Sequence, residues 1–101
     1  MNNLDEIIYV NRLLDFYGNL LTPSQREIMN DYYECNLSLT EISEERGISR
    51  TAVSDALKKG RTKLEKMEEK LGYIKTIDEM KKDPNYESAI IEFEERIKNG
   101  I

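Results

Sequence analysis

Apolar residues recur at helical spacing along most of this chain, and the residues between the runs are those that start and stop helices. Leu4, Ile7, Ile8, Leu14 and Tyr17 share one face, which Val10, Leu13 and Phe16 widen. Asn3 is placed to cap this helix, Asp5 and Glu6 favour its positive end, and Gly18 is placed to stop it. Thr22-Pro23-Ser24-Gln25 opens a second helix: Thr22 caps, Pro23 suits the first helical position, and Gln25 completes a capping box. It runs to about Cys35. Ile28, Met29, Tyr32 and Tyr33 share its inner face, so the tyrosines are expected in the core rather than stacked on bases. Cys35 is expected to be a small, buried or partly buried residue.

The centre of the chain is Ser38–Leu71. Ser38 and Glu41 form a capping box before a short helix, Leu39–Arg46, that buries Leu39, Ile42 and Ser43. Gly47 supplies the positive φ of a tight turn, Ile48 is expected to plug the core, and Ser49 caps the next helix. That helix has an inward stripe of Val53, Leu57, Gly60, Leu64, Met67 and Leu71, with Gly72 to close it. Glycine costs about 1 kcal/mol against alanine inside a helix, so Gly60 is expected to mark a close contact. Beyond it, Thr76 and Glu79 form a third capping box before a short helix that ends at Asp83-Pro84. A last helix carries Tyr86, Ile90, Phe93 and Ile97 in a narrow stripe, to be buried on its own domain or on a second copy.

The expected class is therefore all-α. Residues 1–73 form a helix-turn-helix domain with a flanking N-terminal helix, and residues 74–101 a C-terminal helical extension packed on it or on a partner. The outline of a short helix, a glycine turn and a longer second helix is that of a motif that enters the major groove of DNA.

Charge complicates this picture. The chain of 101 residues has a net charge of −5, which by itself argues against a nucleic-acid binder. The charge is unevenly spread, however. Six basic residues (Arg46, Arg50, Lys58, Lys59, Arg61 and Lys63) stand between positions 46 and 63 against one acid, Asp55. Arg50, Thr51 and Ser54 fall in the first turns, where a recognition helix meets base edges. Lys58, Lys59, Arg61 and Lys63 lie further along, suited to phosphates. Past Lys63, Glu68 and Glu69 would repel a nucleic-acid backbone, so this part is expected to act as scaffold outside the groove.

Chemistry other than binding finds little support. The chain has no histidine and one cysteine, which argues against a structural zinc site, a histidine-based triad and an internal disulfide. It has no Gly-rich phosphate loop, so neither a catalytic site nor a cofactor is expected. No apolar run reaches the roughly 20 residues of a membrane span, and MNNLDEII does not read as a signal peptide; a cytoplasmic location is expected.

The stretch LTPSQREIM…YYE followed by LSLTEISEERGISRTAVSDALKKGRTKL resembles region 4 of bacterial sigma factors and the LuxR-type helix-turn-helix. Leu13 to Gly72 more closely resembles the small bacterial proteins of the YlxM type. That resemblance implies a stand-alone, sigma region 4-like helical domain. It also implies a nucleic-acid-binding or regulatory accessory of the signal recognition particle pathway, beside whose genes such proteins are found. The family's recognition-helix start falls on Ser49, Arg50, Ala52 and Val53, and its acidic position on Asp55. Thr51, Ser54 and Ala56 are smaller than the family's pattern, and Lys59-Gly60 replaces a bulkier pair.

Two functions compete on these grounds. One is a DNA- or RNA-binding module, with DNA or the signal recognition particle's RNA as partner. The other is a protein-interaction module that modulates the GTPases of that particle without groove binding. A homodimer through the last helix is compatible with either.

Overall fold

Caps and chain reversals set the frame. The computed structural model describes residues 4–100; Asn3 lies outside them. Among the described residues there are six α-helices and no strand: α1 (Leu4–Tyr17), α2 (Pro23–Tyr33), α3 (Leu39–Arg46), α4 (Arg50–Leu71), α5 (Tyr73–Met80) and α6 (Glu87–Gly100). The protein is all-α, as its periodicity predicts. A short 3-10 turn, Gly18–Leu20, follows α1.

Two of the three expected capping boxes form. Thr22 accepts from the Gln25 amide at 3.2 Å while the Gln25 side chain accepts from the Thr22 amide. Ser38 and Glu41 do the same at 3.1 and 3.0 Å. The third does not form. The chain enters α5 at Tyr73, three residues before Thr76, directly from the left-handed Gly72. The amides at the start of α5 are satisfied from another helix instead. Glu68 of α4 accepts from the amides of Ile74 at 3.1 Å and Lys75 at 3.2 Å.

The core runs along α4. Its buried residues Val53, Leu57, Gly60 and Leu64 face α1, α2 and α3. Around them stand Val10, Leu13, Phe16 and Tyr17 of α1, Ile28, Met29 and Tyr33 of α2, and Ile42 of α3. Gly60 marks the close approach expected of it. A Cβ there would stand 3.0 Å from the sulfur of Met29, a side chain with no exposure of its own. Tyr33 is buried and Tyr32 half-buried, their rings edge to face at 4.9 Å. Arg12 of α1 grips Asp78 of α5 with two hydrogen bonds of 2.9 Å. In α6, Ile90 is buried against the rest of the fold and Lys81 pairs with Glu94.

Several residues lie where helical spacing did not put them. Cys35 is exposed, because α2 ends at Tyr33 and the chain turns through Asn36 at φ 56°. Ile48 is 38% exposed rather than plugging the core, since the turn after Gly47 carries it to the surface. Leu71 leaves the inward stripe at 46% exposure, because α4 extends past the three-helix core. Leu4 and Ile8 are exposed at the start of α1, and so are Tyr86, just before α6, and Phe93 within it.

Candidate nucleic-acid interface

The helix-turn-helix is assembled from local hydrogen bonds. Gly47 adopts φ 66°, ψ 34°, and its amide and that of Ile48 both return to the Ser43 carbonyl. These bonds close α3 with the left-handed cap that glycine adopts without steric cost. Ser49 then restarts the chain by accepting from the Ala52 amide at 3.0 Å. Ile42 and Ser43 of α3 are buried, as are Val53 and Leu57 of α4, and the two helices pack together. Arg46 ties α3 back onto α2, its Nε 2.8 Å from Asp31 and a terminal nitrogen 2.9 Å from Glu27.

With Val53, Leu57, Gly60 and Leu64 turned inward, the opposite face of α4 is open. Ser49, Arg50, Thr51, Ser54, Asp55, Lys58 and Lys59 are exposed, and Lys63 is half-buried. α6 packs on α1 and α5 instead of over this face. A shallow depression lined by Asp55, Lys58, Lys59, Thr62, Lys63 and Lys66 continues it along the helix. Thr62 and Lys66 therefore join the surface. Their signal was present in the sequence: Thr51, Asp55, Lys58, Thr62 and Lys66 recur every three or four residues on the side opposite the stripe. From Arg50 to Lys66 this surface is about 24 Å long at 1.5 Å per residue.

The cations of this region are not equivalent. Among the described residues, no carboxylate pairs with Arg50, Lys58, Lys63 or Lys66. Lys59 lies 3.2 Å from Asp55, one turn away on the exposed surface, a contact worth little. Arg46 is committed to Asp31 and Glu27. Arg61 is half-buried, held by Glu6 of α1 and by Glu65, whose oxygen is 3.1 Å from its Nε. Burial works against its charge, and these two carboxylates more than restore it. The structure thus brings Ser49, Arg50, Thr51, Ser54, Asp55, Lys58, Lys59 and Lys63 onto one continuous surface and turns Arg61 toward α1. Glu41, Glu44 and Glu45 make the exposed side of α3 acidic, so the favourable charge lies on α4.

These features define a helix-turn-helix protein. Comparison places it more narrowly: residues 4–97 match the model of the UPF0122 family, described as "Putative helix-turn-helix protein, YlxM / p13 like". The chain belongs to that family. It is 51% identical over 78 residues to a UPF0122 protein of Caldanaerobacter subterraneus subsp. tengcongensis, covering 77% of this chain and 67% of that one. It is 41% identical over 100 residues to a UPF0122 protein of Malacoplasma penetrans, covering 93% and 92%. A UPF0122 protein of Exiguobacterium sibiricum is 44% identical over 78 residues, covering 77% and 74%. No solved structure matches the chain.

Proposed function

We propose that this protein binds double-helical nucleic acid by laying the N-terminal half of α4 in a groove. The observation that carries the proposal is the open face from Ser49 to Lys66, with Arg50, Lys58, Lys63 and Lys66 unpaired on it. Arg50, Thr51 and Ser54 stand in the first turns and would meet base edges. Asp55 can accept from a cytosine amino group. The Ser49 hydroxyl accepts at the cap and keeps its proton for a phosphate. Lys58, Lys59, Lys63 and Lys66 supply phosphate contacts further along. Arg61 supports this surface from behind through Glu6.

A titration with DNA duplexes, and with a stem of signal recognition particle RNA that the resemblance brings in, tests the reading. Four phosphate contacts give a log–log salt slope of roughly −3 to −4 on DNA. Affinity independent of salt, or no binding to either polymer, overturns it. DNA is the first choice, because the deep, narrow major groove of A-form RNA does not admit side chains.

The net charge of −5 favours a second reading, in which acidic faces dock on the protein components of the particle and modulate its GTPases. Retained capture of those proteins when Lys58 and Lys63 are reversed in charge would support it over groove binding.

A further inference from the structure

Asp55 stands on the midline of the open face of α4. At about 100° per residue it lies about 170° from the middle of the inward stripe of Val53, Leu57, Gly60 and Leu64, so it points almost straight out. Thr51 and Thr62 lie within about 40° and 20° of the same line. Lys58 stands about 60° round to one side, and Lys59 and Lys63 about 40° and 80° to the other. The face therefore carries a line of acid and hydroxyl between two cationic flanks. All of these side chains are exposed except the half-buried Lys63. From Ser49 to Thr62, Asp55 is the one carboxylate. It pairs with Lys59 at 3.2 Å while 61% exposed, a weak contact that is readily exchanged.

We propose that Asp55 is the specificity-determining residue of this face and accepts a hydrogen bond from a cytosine amino group on the floor of the DNA major groove. The inference rests on the groove reading of α4 and deepens it. A surface built only to hold phosphates gains nothing from a carboxylate at its centre, because like charges brought together cost affinity. An ionised carboxylate only accepts, so the ligand must bring a donor to it. A duplex does so in a groove, where two phosphate walls flank a floor of base edges. The major groove is about 12 Å wide, which suits a helix of about 10–12 Å with its side chains, and the minor groove at about 6 Å does not. Lys58 then faces one wall, Lys59 and Lys63 the other, and Asp55 the floor. Guanine and thymine present no donor there. Adenine presents an amino group with its N7 acceptor beside it, which repels a carboxylate; cytosine presents the amino group alone. On binding, Asp55 passes from Lys59 to the base, and Lys59 is released to its wall.

Selection by the full chain from a randomised DNA duplex pool tests this, followed by anisotropy on single-pair variants of the selected duplex. At one position the native chain should prefer cytosine over the other three bases by about tenfold. Asp55→Ala should lose that preference and bind the disfavoured duplexes more tightly, because a charge that repels phosphate is gone. Asp55→Asn should move the preference to adenine, because a carboxamide can donate to N7 while it accepts from the amino group. Both variants should keep the native circular dichroism and melting temperature, since the side chain is exposed. Binding without base preference, or a preference that Asp55→Ala keeps, overturns the role of Asp55 and leaves groove binding standing. So does an Asp55→Asn chain that does not turn to adenine, since Asp55 then acts on the helix rather than on the base. Tighter binding to an RNA stem than to every duplex also overturns it. Failure to bind any duplex overturns the groove reading and this inference with it.

Discussion

The hydroxyl of Tyr17 donates to the carboxylate of Glu68 at 2.6 Å, and that carboxylate also accepts the amides of Ile74 and Lys75. One acid therefore joins α1, α4 and the first turn of α5. The Tyr17 ring is stacked on Tyr73 at 5.8 Å and is almost fully buried. Glu68 holds in place the turn that presents α5 and α6.

Burial and the hydrogen bond to Glu68 raise the Tyr17 hydroxyl well above its ordinary pKa of 10.0. A group whose folded pKa is raised contributes stability that is complete below the unfolded pKa and fades as pH climbs through the folded one. Thermal unfolding should therefore show stability falling above pH 10 in the native chain, and less steeply in Tyr17→Phe. At neutral pH that variant should lose about 1.5 kcal/mol, the low end for a hydrogen bond to a charged group, because Glu68 keeps its two amides.

Acid should act at a different place. The Arg12 hydrogen bonds hold Asp78 below the usual carboxylate range, against a smaller opposing effect of burial. A depressed pKa contributes stability above the unfolded value near 3.8, and that contribution is lost as pH falls through the folded value. Asp78→Asn should flatten the acid limb of the melting temperature below about pH 4. At neutral pH it should cost no more than about 1 kcal/mol, since Asp78 is half exposed.

The contact of Gly60 with Met29 sets a limit on side-chain size. Gly60→Leu should destabilise the fold by about 1–3 kcal/mol or more, as overpacking does, although leucine is the better helix former. Denaturant unfolding measures this. No loss of stability would mean that α2 and α4 do not approach as closely as 3.0 Å implies.

Two arginines on the same helix should behave in opposite ways. Arg50→Ala should weaken duplex binding by about 1–3 kcal/mol with little effect on stability, because Arg50 is exposed and unpaired. Arg61→Ala should lower stability, because it removes the pairs that the half-buried guanidinium makes with Glu6 and Glu65, and leave the salt slope of binding unchanged. Fluorescence anisotropy across a salt series, run beside thermal melts, separates the two. A steep loss of salt dependence in Arg61→Ala would return that residue to the phosphate-binding set.

What the sequence determined by itself is what depends on neighbours along the chain. The Thr22 and Ser38 boxes, the Gly47 turn, the Ser49 cap and the inward stripe from Val53 to Leu64 are all settled within a few residues. Backbone hydrogen bonds span four positions, and a helical face repeats every three or four. Tertiary structure alone decided which charges were spent and which apolar residues were covered. Arg46 and Arg61 read as cations of one basic run until α2 and α1 brought Asp31, Glu27 and Glu6 against them. Glu68 read as a repulsive surface acid until the chain folded back at Gly72 and gave it the amides of Ile74 and Lys75. Leu71 and Phe93 fit their stripes as well as Leu64 and Ile90 do, yet only the latter pair is buried. Periodicity fixes which side of a helix is apolar, but the length of the neighbouring helix decides how far that side is covered.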